Sequence, residues 1–204
     1  MSLTPPMRQV LLVEDDASIA RFVAMALEED PVQLTTARTL REAREHLRGT
    51  RFDVVLCDMM LGDGSGLDLL RALATASGTV RVAFSAALHA PLRAQLAAIG
   101  VHEVLAKPAS MDALRRAVGL RVDHSTPPAR PSVVDEYFGG DASLYEIYRA
   151  QCLEQFGRDL EAGERSAAAG DWAALRHLAH SLKSVLAMLG DDEGSALARA
   201  LEGH

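Results

Sequence analysis

Val10-Leu11-Leu12-Val13-Glu14-Asp15-Asp16 (10–16) joins four apolar residues without alternation to three acids, and the pattern returns in Val54-Val55-Leu56-Cys57-Asp58 (54–58). A run that is apolar at every position belongs to a strand buried on both faces, as in a parallel sheet covered by helices. Further runs stand at Val80–Phe84 and Val101–Ala106, and a weaker one at Val32–Thr36. Between them lie stretches with helical periodicity near Ala17–Glu29, Thr39–Leu47, Leu67–Thr75, Pro91–Ile99 and Met111–Leu120. Five such units predict an α/β domain over 4–121 with a five-stranded, doubly wound parallel sheet.

Asp123 to Ser132 (DHSTPPARPS) holds three prolines and no apolar period, so 122–132 reads as a linker. Beyond it the pattern is purely helical: a short segment at Val133–Phe138, a long helix over Ala142–Ala168, another over Trp172–Leu189, and the beginning of one more at Gly194–Leu201. These predict a second, all-α domain over 133–201, part of an antiparallel bundle. Met1-Ser2-Leu3 and Glu202-Gly203-His204 read as vector-derived residues, the latter as the start of a histidine tag.

The chain has 204 residues, 49% hydrophobic and 24% charged, with a net charge of −7. That acidity argues against a sequence-independent nucleic-acid binder, which needs clustered Lys and Arg to neutralise phosphates. No apolar run reaches the roughly 18 residues needed to cross a bilayer. Cys57 and Cys152 show neither pairing nor metal-site spacing, which makes a reducing cytoplasm the default expectation.

The two lysines, Lys107 and Lys183, stand against nineteen arginines. An ammonium is a compact donor that fits a single oxygen in a tight site, whereas a guanidinium is broad and planar. Each lysine lies near a residue able to carry a phosphoryl group, and each marks one candidate site.

The first site collects at strand ends. Glu14, Asp15 and Asp16 follow the first strand, Asp58 ends the third, Ser85 follows the fourth and Lys107 the fifth. With strand order 2-1-3-4-5, the first and third strands are neighbours where the order reverses, so their acids converge where ligands bind in open α/β sheets. Taken alone, acids after strands are often helix caps, and Asp16 reads as one. Taken together, packed carboxylates call for a hard cation, Mg²⁺ or Mn²⁺. Carboxylates, cation and lysine make a phosphoryl-transfer site with Asp58 as nucleophile.

LLVEDD, VVLCDMML, FSA and LAKP make residues 8 to 121 resemble the receiver domain of two-component signalling, which has a flavodoxin-like fold. The resemblance implies that Asp58 accepts phosphate from a phosphohistidine, that Glu14, Asp15, Asp58 and the Met60 carbonyl hold the metal, and that Ser85 and Lys107 contact the phosphoryl oxygens. Pro108 matches the family's Lys-Pro. Two positions depart from the pattern: Val104 stands where the family usually has an aromatic switch residue, and Gly62 where many receivers have proline.

The second site is on the helix Trp172–Leu189. Leu175, Leu178, Ala179, Leu182, Val185, Leu186 and Leu189 form one stripe, and His180 lies roughly 160° from Leu182 on a helical wheel. His180 is therefore expected to face water, sharing its face with Lys183 and Ser184, with Arg176 one turn earlier. An exposed imidazole can form a labile phosphoramidate, and a neighbouring ammonium offsets the transferred charge. A zinc pair at His177 and His180 lacks further ligands nearby. AHSLKSVLAMLG resembles the HxxKG signature of histidine-phosphotransfer (HPt) domains, with Ser184 replacing the glycine. The resemblance implies that His180 shuttles phosphate to and from receiver aspartates without ATP, and no glycine-rich nucleotide signature is found. The family's bundle has four long helices, so the domain is expected to look C-terminally truncated, with an apolar face completed by another chain, for example as a homodimer.

The leading expectation is a phosphorelay protein, a phosphotransfer intermediate rather than an ATP-dependent kinase, whose partners are a histidine kinase and other receiver or HPt proteins. The alternative is a non-catalytic docking module that keeps both folds, which Val104 and Ser184 favour. Metal-dependent phosphatase chemistry would need a general acid beside Asp58, and Met59 and Met60 cannot serve.

Overall fold

The computed structural model describes residues 7–75, 78–120 and 131–202. They form two compact units, the first within 1–124 and the second within 125–204. Residues 1–3, 203 and 204 and most of the expected linker lie outside the described residues.

The first unit is the predicted α/β layer structure. Its strands β1 (Arg8–Val13), β2 (Val32–Ala37), β3 (Val54–Asp58), β6 (Val80–Ser85) and β7 (Glu103–Ala106) form one sheet in the order β2-β1-β3-β6-β7. Every pairing in it is parallel. All five residues of β3 are buried: the apolar run Val54–Cys57 requires it, and Asp58 at the strand end is buried with them. Helices α1 (Ala17–Ala26), α2 (Leu40–Gly49), α3 (Gly66–Ala72) and α4 (Ala90–Ala98) connect the strands, and α5 (Met111–Ala117) follows the last one. Asp16 caps α1, accepting from the Ile19 amide at 2.8 Å.

A small antiparallel hairpin, β4 (Met60–Leu61) with β5 (Gly64–Ser65), follows Asp58. Two glycines make it fit. Gly64 sits at φ 144°, outside the range L side chains favour. A Cβ on Gly66 would lie 1.8 Å from the Asp58 carbonyl oxygen. Asp63 then ties the hairpin to α2, accepting from the amides of Leu40 at 2.9 Å and Arg41 at 3.2 Å.

The second unit holds α6 (Val133–Phe138), α7 (Ala142–Ala169), α8 (Trp172–Leu189) and α9 (Asp192–Glu202). Ser132 and Asp135 form a capping box on α6, and Gly139, Gly170 and Gly190 close α6, α7 and α8 in the left-handed conformation. Phe138, Tyr148, Cys152, Val185 and Met188 are its buried core. The Phe138 ring packs 5.4 Å from Tyr145 and 5.5 Å from Tyr148 between centroids. Elsewhere an apolar groove of about 510 Å³ stays open, lined by Phe156 and Leu160 of α7, Leu178, Leu182 and Leu186 of α8, and Leu201 of α9. Among the described residues the bundle therefore leaves one apolar face open.

Candidate functional site

The sheet register sets the first site. Val13 is level with Cys57, Asp58 with Phe84, and Ser85 with Ala106, so Glu14, Asp58, Ser85 and Lys107 all emerge at one edge. Carboxylate oxygens of Glu14, Asp15 and Asp58 lie within 4.8 Å of one another. The Lys107 ammonium is 2.5 Å from Glu14 Oε2 and 2.6 Å from Asp58 Oδ2, with all three side chains almost fully buried. The Lys107–Pro108 peptide is cis, and the ammonium also lies 4.8 Å from the Phe84 ring centroid.

The hairpin after β3 holds the rest of the pocket. The Met60 amide donates to Asp58 Oδ1 at 3.1 Å, and the Gly62 amide to Asp15 Oδ2 at 2.9 Å. Arg38 donates to the Asp15 carbonyl oxygen at 3.1 Å. Ser85 is buried, and its Oγ accepts from the Ala87 amide at 3.2 Å. Val104 is partly buried and packs on the sheet core.

Charge follows from this burial. Glu14 is pushed up to about 8 by desolvation, with Lys107 pulling it down and Asp58 pushing it further up. Burial alone would lower the Lys107 pKa, but the facing carboxylates of Glu14 and Asp58 outweigh it and hold the ammonium above the ordinary lysine range. Burial also drives the Cys57 thiol up, so beside Asp58 it stays protonated and inert. Lys107 pairs with Asp58, and a divalent cation beside Asp15 would draw the proton off Glu14, giving an anionic, oxygen-only donor set. Such a set matches a hard divalent cation and offers nothing to a soft one.

The second site differs from its expected form. His180 is only 3% exposed, whereas the apolar stripe on α8 predicts a ring facing water. The buried face of α8 carries Ala179, His180, Lys183, Ser184, Val185 and Met188, while the leucines at 178, 182 and 186 line the open groove. The physical reason is α9. It packs small buried residues, Ser195 and Ala198, onto the polar side of α8, and Ser195 Oγ donates to the Lys183 carbonyl at 2.8 Å. Small side chains allow helices to approach closely, so α9 covers that side and the leucines are left outside.

Within this contact Glu202 reaches both candidate side chains, His180 and Lys183. Its Oε1 is 2.6 Å from His180 Nδ1, and its Oε2 accepts a very short hydrogen bond from Lys183 Nζ. His180 Nε2 is buried without a hydrogen-bond partner. Burial pushes the Glu202 carboxyl up, but hydrogen bonds from Lys183 and His180 outweigh it and hold it below the ordinary glutamate range. Sequence patterns give no sign of Glu202, which is 22 residues from His180 and reads as a tag residue. Asp63 was detectable only as part of the turn Gly62-Asp63-Gly64.

Residues 10–119 match the response regulator receiver domain and residues 147–204 the Hpt domain. The response regulator protein PilR of Pseudomonas aeruginosa is 30% identical over 71% of this chain and 33% of its own length. The KDP operon transcriptional regulatory protein KdpE of Escherichia coli is 30% identical over 71% of this chain and 65% of its own. The P. aeruginosa sensor histidine kinase AruS is 34% identical over 54% of this chain and 12% of its own. The chain thus spans only part of the length of each of these relatives. The solved HemR receiver domain from Leptospira biflexa matches 58% of this chain and 99% of its own, with TM-score 0.51 and 28% identity. No described helix is long and apolar enough to cross a membrane. A parallel sheet whose edge gathers Glu14, Asp15, Asp58 and Lys107, matched across more than half of the chain, makes this protein a member of the response regulator receiver family, with an Hpt domain after the receiver.

Proposed function

We propose that this is a cytoplasmic phosphorelay protein in which Asp58 accepts a phosphoryl group and His180 is a phosphotransfer histidine. The observation that carries the receiver half is the convergence of Glu14, Asp15, Asp58 and Lys107 at one sheet edge. Glu14, Asp15, Asp58 and the Met60 carbonyl would hold Mg²⁺ or Mn²⁺, which when bound supplies positive charge against the phosphoryl oxygens.

Asp58 then attacks the phosphorus of a partner's phosphohistidine. An O–P bond forms, the N–P bond breaks, and the freed imidazole keeps the electron pair and takes a proton. Met60 N–H fixes Asp58 Oδ1. Lys107, already 2.6 Å from Oδ2, keeps its charge throughout and follows the phosphoryl oxygens, with Ser85 Oγ as a second contact. The donors and acceptors this implies are histidine kinases and other receiver or HPt proteins.

At His180, the Glu202 carboxylate accepts a hydrogen bond from Nδ1–H, which holds the proton on Nδ1 and leaves the lone pair on Nε2. Nε2 attack on an aspartyl phosphate forms N–P and releases the carboxylate. The Lys183 ammonium is one turn away to offset the charge. Because the ring is covered, the end of α9 must open first.

The docking alternative is favoured by one observation, the 3% exposure of His180. Exposure to a radiolabelled, autophosphorylated histidine kinase separates the two. Phosphorelay predicts a base-labile adduct lost in Asp58→Asn and an acid-labile one lost in His180→Gln. If neither adduct forms with any kinase tested, the docking module is the better description.

A further inference from the structure

The unused face of α7 carries a self-complementary pattern. Leu153 and Leu160 are 54% and 65% exposed, large values for leucines within a bundle, and Ala167, also exposed, continues the seven-residue spacing. Arg149 and Glu164 are exposed on the same side of the helix, one toward each end of this stripe. The pairs Leu153/Leu160 and Arg149/Glu164 are both centred on one point, between Phe156 and Gly157. At that centre Gly157 has nothing within 4 Å of where a Cβ would lie, so another backbone can approach closely.

A pattern symmetric about one point on a helix is what a two-fold axis needs, because each residue then meets its opposite number on the second copy. We infer that α7 docks antiparallel on α7 of a second copy of this chain, about a dyad at Phe156–Gly157. Leu153 of each copy then lies beside Leu160 of the other, and Arg149 of each faces Glu164 of the other. The seven-residue spacing suits a shallow crossing of roughly 20°. Leu160 and Glu164 also line the open groove, so docking brings the second copy's Leu153 to its mouth and covers part of it. An unrelated helix would have no reason to match both the leucine and the charge register. The inference does not depend on either phosphotransfer site.

Sedimentation velocity of the whole chain, from low micromolar to submillimolar concentration, reads the outcome. The expected result is a reversible rise toward twice 21.9 kDa. Leu160→Glu, at an exposed position, abolishes the rise while helicity is retained. Arg149→Glu and Glu164→Arg each weaken association by about tenfold, through two like-charge contacts per dimer, and the double swap restores it. Gly157→Cys crosslinks two copies under mild oxidation, since Cys57 and Cys152 are both buried, and this readout stands even if Leu160→Glu were to unfold. A chain that stays monomeric throughout overturns the inference and leaves the groove to a helix of another protein. So does a dimer unchanged by Leu160→Glu, or a double swap that recovers nothing.

Discussion

Glu202 Oε1 lies 2.6 Å from His180 Nδ1 while its other oxygen takes the Lys183 ammonium, so one carboxylate occupies both candidate groups of the second site. Glu202→Ala, or a chain ending at Leu201, should uncover the ring. Opening a contact of about 1.4 kcal/mol corresponds to tenfold, so modification of His180 by diethyl pyrocarbonate, which needs only an exposed ring, should rise by about that factor, while phosphorylation, which also uses the Nδ1–H that Glu202 orients, should rise less. Equal rates in wild type and variant would mean that the cover does not limit access.

The same contact sets a pH dependence. Glu202 has a folded pKa below its ordinary value of 4.5. Its contribution is therefore fully present above about 4.5 and is lost as pH falls through the lower, folded value. Carbon-13 titration of the Glu202 carboxyl should show an inflection below that of free glutamate, and Lys183→Met should move it upward. An inflection that does not move would remove Lys183 as a cause.

Lys107 is the cation shared by two buried carboxylates, and removing it leaves them facing each other. Lys107→Ala should destabilise the receiver unit by about 3–5 kcal/mol, the cost of breaking a buried ion pair from one side. Added Mg²⁺ should recover part of that loss, because Glu14 and Asp58 then share a different cation. Urea melts followed by a receiver-specific signal, with and without Mg²⁺, measure both effects.

Gly66 has no room for a methyl group, since a Cβ would sit 1.8 Å from the Asp58 carbonyl oxygen and 2.8 Å from Cys57 Sγ. Backbone cannot yield as a flexible side chain does, so Gly66→Ala should cost about 3 kcal/mol. It should also displace the hairpin that holds Asp58 and Asp15, and so lower Mg²⁺ affinity. Gly49→Ala, at an open helix end, is the control and should change neither.

The sheet was legible in the sequence because buried parallel strands must be apolar at every position, and Val54 to Cys57 could be little else. Strand order then carried Glu14, Asp15, Asp58 and Lys107 to one edge without any knowledge of side-chain geometry. The hairpin over Met60–Ser65 was not legible, since two-residue strands have no period and depend on Gly64 and on Asp63 reaching α2. The orientation of α8 was not legible for a different reason. An apolar stripe marks a buried face only when something covers it, and in this protein α9 covers the opposite side with Ser195 and Ala198, leaving Leu178, Leu182 and Leu186 on a groove. A helical wheel drawn for one helix does not contain the packing of the next.

The proposed function requires that Asp58, a buried carboxylate held between an ammonium and further acids, takes up phosphate. Intact mass after incubation with acetyl phosphate and Mg²⁺ tests it most directly. The expected result is one base-labile phosphoryl adduct on the wild-type chain, lost without Mg²⁺ and absent in Asp58→Asn. An adduct of equal yield in Asp58→Asn, or none in the wild type with Mg²⁺ present, would contradict it.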